Sequence, residues 1–380
     1  MSTSPDPSLS QSSGVLTIDL TALAENWRAL ARRAAPAQCA AAVKADAYGI
    51  GIEAAAPALH AAGCRHFFVA QLNEGTRVRA ALAPRPQVRI YVLNGLQAGA
   101  DLQDDYYAHG LAPVIGSEEE LARWAASSAR QISSPPCAVH IDTGMNRLGF
   151  ASLGALKSAI DRYGRDTLGI DLLMSHFVSS EEPDNPLNAL QIARFDEARA
   201  AFHGLPASLA NSSGAFLKER PFFDLIRPGY ALYGGNPTPG APNPMKRVVS
   251  LEIAIQQVRW IEPGESVGYN AQWTAKRRTR LATLLAGYAD GLPRGAGATD
   301  GRPGADVVIA GRRCPLVGRM SMDLCVADVT DMPEDAARPG ASAQLLGDEI
   351  GIDELGARSG AIGYHVLTSL GQRYHRRYVG

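Results

Sequence analysis

The sequence predicts an α/β protein: an N-terminal (β/α)8 barrel followed by a C-terminal, mostly-β domain. Three observations carry that expectation. Short apolar runs recur about every 20 to 35 residues through the first two-thirds of the chain. Helical spacing fills the intervals between them. Beyond about residue 245 that spacing gives way to short strand-like pieces and frequent turns.

The runs, in order, are CAAAVK (39–44), HFFVA (66–70), VRIYVL (88–93), LAPVI (111–115), CAVHID (137–142), GIDLLM (169–174), ASLA (207–210) and DLIR (224–227). Helical patterns such as LTALAENWRALARRA and NALQIARFDEARAAF lie between or before them. Strand-then-helix alternation implies parallel strands with right-handed crossovers. Eight units in about 230 residues suit a closed barrel, and a doubly wound open sheet is the competing architecture. PTPGAPNPM (237–245) reads as a linker, and VVSLEIAIQQVRWI, TRLATLLA, ADVVIAG, LCVADV and AQLLGD read as strands beyond it. The expected division is a disordered lead-in over 1–13, a barrel over 14–245 and a β-domain over 246–380.

Composition narrows the function. A net charge of −1 gives no electrostatic case for nucleic acid or an anionic membrane. No apolar run approaches the roughly 20 residues that span a bilayer. The Ser/Pro-rich start has neither a basic nor an apolar signal region. The five cysteines, Cys39, Cys64, Cys137, Cys314 and Cys325, form no CxxC, which points to a reducing, cytoplasmic setting and to no metal.

Lysine is rare here: Lys44, Lys157, Lys218, Lys246 and Lys276, with arginine supplying the rest of 37 basic residues. Four of the five sit in polar surroundings. Lys44 ends an apolar strand, and the carboxyl end of a barrel strand points into the mouth where such barrels hold their active sites. Desolvation there lowers an amine's pKa and makes it a nucleophile towards an aldehyde. The bland reading, a lysine snorkelling at a strand end, stands beside it. Later strand ends add Asp142 to Arg147, Ser175-His176-Phe177, Asn211 to Gly214 and Arg227 to Tyr230. The Ser212 hydroxyl and the Gly229-Tyr230 amides have the chemistry of a phosphate cradle.

The stretch VKADAYGIG resembles the pyridoxal-phosphate lysine signature of the alanine racemases. The likeness continues through DTGMNRLGF, SHF, NSSG, IRPGYALYG, VGYNAQWTA, GYADG, VGRMSMDL and GYHVLTSLGQRYHRRY, from about residue 14 onwards. It implies pyridoxal phosphate as cofactor and the interconversion of L-alanine and D-alanine in a homodimer, with serine as a secondary substrate. The D-alanine would feed peptidoglycan or be catabolised. Lys44 would carry the cofactor and serve the D-enantiomer as base. Tyr269, from the partner subunit, would serve the L-enantiomer. Arg227 would contact the cofactor's ring nitrogen and His176 its ring. Tyr48, Asn211, Ser212, Gly229, Tyr230 and Tyr364 would surround the phosphate. Arg147 and the Met322 backbone would take the substrate carboxylate, with Tyr288 and Tyr364 at the mouth and Asp323 behind, Met322 and Tyr288 coming, like Tyr269, from the other subunit.

One position departs from the family. Many members carry a carbamylated lysine seven residues before the arginine that matches Arg147, and here that residue is His140. A neutral histidine supplies no negative charge, so a bound anion, a water or His140 itself is expected to hold Arg147. Three rivals are weighed: a barrel-fold pyridoxal-phosphate decarboxylase, a non-catalytic pyridoxal-phosphate carrier, and a barrel enzyme using Lys44 without that cofactor. Arg227 at the ring nitrogen speaks against the first, since decarboxylases of this fold place a carboxylate there. The full β-domain speaks against the second, and the protein's absorbance separates the third.

Overall fold

A computed structural model describes residues 12–380 except Pro86 and 130–135. It divides into two compact units, Leu23–Lys246 and the described residues up to Ala22 with Arg247–Gly380.

In the first unit the eight anticipated runs form parallel strands. Gln38–Cys39 and Ala41–Ala42 make one interrupted strand, followed by His66–Val69, Arg89–Val92, Ala112–Ile115, Cys137–His140, Ile170–Met174, Ala207–Ser208 and Leu225–Ile226. Neighbours pair in that order. The ring closes because Asp224 and Arg227 donate backbone N–H groups to Ala207 and Ala210, while Leu225–Ile226 pairs with Gln38–Cys39. The strands are bounded by local chemistry. Ser117, Ser152 and Asn185 cap the helices Glu118–Ser128, Leu153–Tyr163 and Pro186–Ala201. Phe67, Ile90, Ile115, Val139 and Leu173 are wholly buried, as continuous apolar strands in a covered barrel require. After the seventh and eighth strands no α-helix forms. Short 3-10 turns, Gly214–Phe216 and Tyr230–Tyr233, stand there and leave those loops tight.

The second unit is mostly β. Its strands include Val249–Ile261, Thr279–Leu284, Asp306–Ile309, Arg312–Pro315, Cys325–Asp328, Ser342–Leu346 and His375–Val379, with short helices Ile352–Arg358 and Gly363–Thr368. Gly14–Asp19 differs from expectation. It is a strand of this sheet, antiparallel to Val249–Ile261 and parallel to His375–Val379. Gly14 has to be glycine there, because a β-carbon would lie 2.4 Å from the Glu252 carbonyl oxygen. The expected disordered lead-in falls outside the described residues as far as residue 11. Ser13 is fixed by an N–H bond to Arg373 and a hydroxyl bond to Asp290.

Among the described residues no helix is long and apolar enough to cross a membrane. All five cysteines are free thiols and buried.

Arg280 is buried and donates to the carbonyls of Met332 (3.1 Å), Glu334 (3.0 Å) and Ala337 (2.5 Å). Met at this position keeps the bulk and leaves three carbonyls without that donor. Arg280→Met is therefore expected to cost about 2–4 kcal/mol in denaturant unfolding, with new protease cleavage near 332–338. An unchanged denaturation midpoint would contradict this role.

Candidate active site

Lys44 follows the first barrel strand, where Val43 N–H donates to Phe68 O at 2.8 Å. Ala45, Asp46, Ala47 and Tyr48 then take φ of 53°, 54°, 54° and 53°. Four successive left-handed residues, none glycine, cost about 1–2 kcal/mol each. The turn persists because its surroundings hold it. Glu74 accepts the Ala45 N–H at 2.6 Å. Asp46 accepts the Ile52 N–H at 3.1 Å and pairs with Arg77 at 2.6 Å. Tyr48 stacks on Tyr233 with centroids 4.6 Å apart, and the Tyr233 hydroxyl donates to Ala42 O. Lys44 is half-buried. Burial and the charge of Arg147 lower its pKa, against a smaller opposing pull from Glu74.

Arg227, buried at the end of the eighth strand, donates to Ser208 Oγ (2.5 Å), Ser175 O (2.5 Å) and Leu209 O (3.4 Å). Its Nη2 also lies 3.4 Å from His176 Nδ1. Carbonyl and hydroxyl dipoles hold this cation, with no carboxylate in contact among the described residues. Burial pulls its pKa down to about 9, which still leaves it charged at neutral pH. Burial and Arg227 push His176 well below the usual imidazole value. His140 is held near 4, chiefly by burial and then by Arg227. Both imidazoles are therefore neutral at pH 7, and His176 accepts at Nδ1.

Arg147 stands on a loop that folds back on the fifth strand, with Phe150 N–H donating to His140 O and Asp142 N–H to Phe150 O. The Asp142 carboxylate accepts three successive backbone N–H groups, of Gly144 (2.7 Å), Met145 (2.8 Å) and Asn146 (2.6 Å). Gln191 and Arg194 brace the loop through Thr143. Arg147 itself is exposed, and no side-chain carboxylate pairs with it among the described residues. The carboxylate nearest in sequence, Asp142, is committed to the loop backbone.

Ser212 Oγ accepts N–H bonds from Gly229 (3.0 Å) and Ala231 (3.2 Å), so the seventh and eighth loops are sewn together. A β-carbon on Gly229 would lie 2.2 Å from Tyr48 Oη, which makes glycine obligatory there and puts that phenol beside the cradle. Asn211 Oδ1 accepts from Ser180 Oγ and Gly214 N, so it shapes the loop through those contacts. Tyr230 is buried, its ring against Gly235.

The remaining anticipated residues lie on the second unit. Tyr269 sits in a turn whose Gly268 packs against Arg319 and is 65% exposed. The Tyr288 turn is fastened to the Met322 loop, with Tyr288 N–H donating to Ser321 O and Ala289 N–H to Met322 O. Arg373 ties both segments together, bidentate to buried Asp290 at 2.7 and 2.8 Å and reaching Asp323 at 2.7 Å. Tyr364 is half-buried in Gly363–Thr368, close to the same turn through the approach of Gly291 to Ser369. Tyr288 and Met322 are exposed, as is Ile362 at 63%.

The barrel rim thus gathers Lys44, Arg147 and Arg227, two neutral imidazoles and a hydroxyl-amide cradle. That donor set suits an anionic, phosphorylated aldehyde: an amine to bond it, a cradle for phosphate and a buried cation for a ring acceptor. Among the described residues no cluster of His, Cys, Asp and Glu could hold a metal ion. Sequence reasoning missed Glu74, Arg77, Tyr233, Gln191 and Arg373, which hold the site's residues in place. Glu74 lies three residues after Gln71, the spacing of a capping box, and that was the available signal.

The family models for the alanine racemase N-terminal and C-terminal domains match residues 18–237 and 248–378. An alanine racemase of Methylobacterium sp. (strain 4-46) is 54% identical over 364 residues, covering 96% of this chain and 97% of the relative. The crystal structure of alanine racemase from Bartonella henselae with covalently bound pyridoxal phosphate superposes with a TM-score of 0.89 at 35% identity, covering 97% of this chain and 99% of that one. The biosynthetic alanine racemase of Pseudomonas aeruginosa gives 0.86 at 35% identity, covering 97% and 100%. With the barrel, the lysine at its rim and both domain models in agreement, this chain belongs to the pyridoxal-phosphate-dependent alanine racemase family of isomerases.

Proposed function

We propose that this protein interconverts L- and D-alanine by two-base proton transfer, with Lys44 on one face of the α-carbon and Tyr269 of the partner subunit on the other. The observation that carries the reading is the pairing of a desolvated lysine with a buried, carboxylate-free arginine at one barrel rim. Pyridoxal phosphate, when bound, supplies an electron sink that acidifies the α-carbon of an amino acid. Arg227 would meet its ring nitrogen, His176 its ring, and Ser212, Gly229, Tyr230, Tyr48 and Tyr364 its phosphate, with Asn211 shaping that loop.

The protein's own groups then have distinct tasks. Arg227 stays charged at neutral pH, so against a ring acceptor it would donate a hydrogen bond and not its proton, which would leave the ring nitrogen unprotonated and favour proton transfer. Arg147 and the backbone of the partner subunit's Met322 fix the substrate carboxylate, with Asp323 supporting. Racemisation needs a base on each face, since one face releases the proton and the other receives it. Lys44 takes it from D-alanine and Tyr269 from L-alanine.

Within a single chain Tyr269 is 65% exposed. Seating it against the barrel mouth of a second copy would cover it and set it opposite that copy's rim lysine. The exposed large apolar side chains of Tyr269, Tyr288, Met322 and Ile362 support the same homodimer. The partner subunit's Tyr288, with Tyr364, narrows the pocket to alanine, with slower turnover of serine, because a small pocket rejects an added hydroxyl weakly. Enantiomers have equal free energy, so the equilibrium constant is unity. The same protein supplies D-alanine to peptidoglycan or removes it according to which enantiomer the cell provides.

In deuterated water the wild type is expected to give racemic, α-deuterated alanine, serine to react more slowly, and lysine not to react. Lys44→Ala should lose at least about 10³-fold. Tyr269→Phe should retain α-exchange of D-alanine while losing that of L-alanine, and equal loss from both enantiomers would contradict the face assignment. Sharing of sites is checked by mixing Lys44→Ala with Tyr269→Ala: half the dimers formed then hold one intact site, and about a quarter of wild-type activity should return. No recovery would place both bases in one chain.

Lys44 works as the neutral amine, so turnover of D-alanine is lost as pH falls through its depressed pKa. Arg147 lowers that pKa. Arg147→Leu should therefore move the acid limb of kcat to higher pH, besides weakening substrate binding. A limb that stays put or moves down would contradict the electrostatic account.

A further inference from the structure

The turn after Lys44 is gripped by a helix, Leu72–Ala81, to which neither the cofactor nor the substrate assigns a role. Glu74 lies in its first turn. One carboxylate oxygen accepts the Ala45 N–H at 2.6 Å, and the other accepts the N–H groups of Ala70 (2.8 Å) and Gln71 (3.1 Å). A single carboxylate thus caps its own helix and ties that cap to the residue beside Lys44. One helical turn on, Arg77 donates to Asp46 Oδ1 at 2.6 Å and to Glu53 at 2.8 Å. Within the turn, the N–H groups of Ala47, Gly49, Ile50 and Gly51 donate to the carbonyls of Val43, Ala45, Ala47 and Asp46, and none of these bonds takes the Ala45 N–H. Ala45 has no polar side chain with which to hold itself.

We propose that Glu74 is the positioning residue for Lys44: its carboxylate clamps the Ala45 amide, holds the left-handed turn and so aims the lysine amine into the barrel mouth. This rests on the reading that Lys44 carries pyridoxal phosphate. Glu74 acts through the turn and touches neither substrate nor cofactor. Its charge also works on the amine in the direction opposite to Arg147, the other charged group acting on Lys44. His176, whose titration feels Lys44, is neutral, and Arg227 stands behind it.

The test follows uptake of pyridoxal phosphate by the full-length protein after its cofactor has been stripped, read as yellow absorbance across pH. Attack on the aldehyde needs the neutral amine. Glu74→Ala is expected to slow uptake on the order of tenfold. Adding Ala45→Gly should restore most of the rate, because glycine takes φ near +53° without a β-carbon penalty. Glu74→Gln keeps an acceptor for the Ala45 N–H and removes the charge, so its plateau rate should hold while the pH midpoint moves down. A merely structural role gives neither the glycine rescue nor the midpoint shift. Thermal unfolding reports whether Glu74→Ala folds, and if it does not, the Glu74→Gln midpoint decides. Wild-type rates with an unmoved midpoint in both Glu74 variants overturn the proposal and leave the role of Lys44 intact. Uptake that persists in Lys44→Ala overturns both.

Discussion

Closing eight parallel strands into a ring gives the barrel one rim where every strand ends, and the site's barrel residues depend on that closure. The closing bonds run from Asp224 and Arg227 to the seventh strand, from Leu225–Ile226 to Gln38–Cys39, and from the Ala42 N–H to Pro228 O. They bring the first strand, with Lys44, beside the eighth, with Arg227, although some 180 residues separate them in sequence. In an open sheet these two would be edge residues. The same closure brings the Tyr48 phenol against Gly229, a contact that tolerates no β-carbon.

The second constraint is charge. Lys44, Arg147 and Arg227 share a rim where the nearby carboxylates are already committed: Asp142 to three backbone amides, Glu74 to three others. Uncompensated cations in a partly desolvated mouth are costly alone and favourable once an anion arrives. The site is therefore complementary to a phosphate and a carboxylate. His140 sharpens this. A neutral imidazole held near pKa 4 ends the fifth strand, seven residues before Arg147, and adds no negative charge to the rim. Arg147 is thus presented by its loop, braced through Gln191 and Arg194, and no fixed anion neutralises it among the described residues.

The eight barrel strands were legible as apolar runs because a covered parallel strand is apolar on both faces. Lys44 stood out because lysine is scarce and this one ends a strand. What was not legible is non-local or backbone-borne. Gly14–Asp19 belongs to the second sheet through pairing with Val249–Ile261 and His375–Val379, more than 200 residues away, and no local pattern carries that information. The left-handed turn is written in Ala-Asp-Ala-Tyr, where the usual glycine signal for positive φ is absent. Its holders, Glu74 and Arg77, look like ordinary surface charges on a helix. Arg373 likewise reads as one basic residue in a basic tail until the fold sets it on Asp290 and Asp323.

The central claim is that the rim lysine carries the cofactor. It is tested most directly by reducing the yellow protein with borohydride, digesting it and locating the pyridoxyl group by mass spectrometry. The account predicts one modified residue, Lys44, in the peptide containing VKADAYGIG. A pyridoxyl group on Lys157, Lys218, Lys246 or Lys276, with Lys44 unmodified, would contradict it.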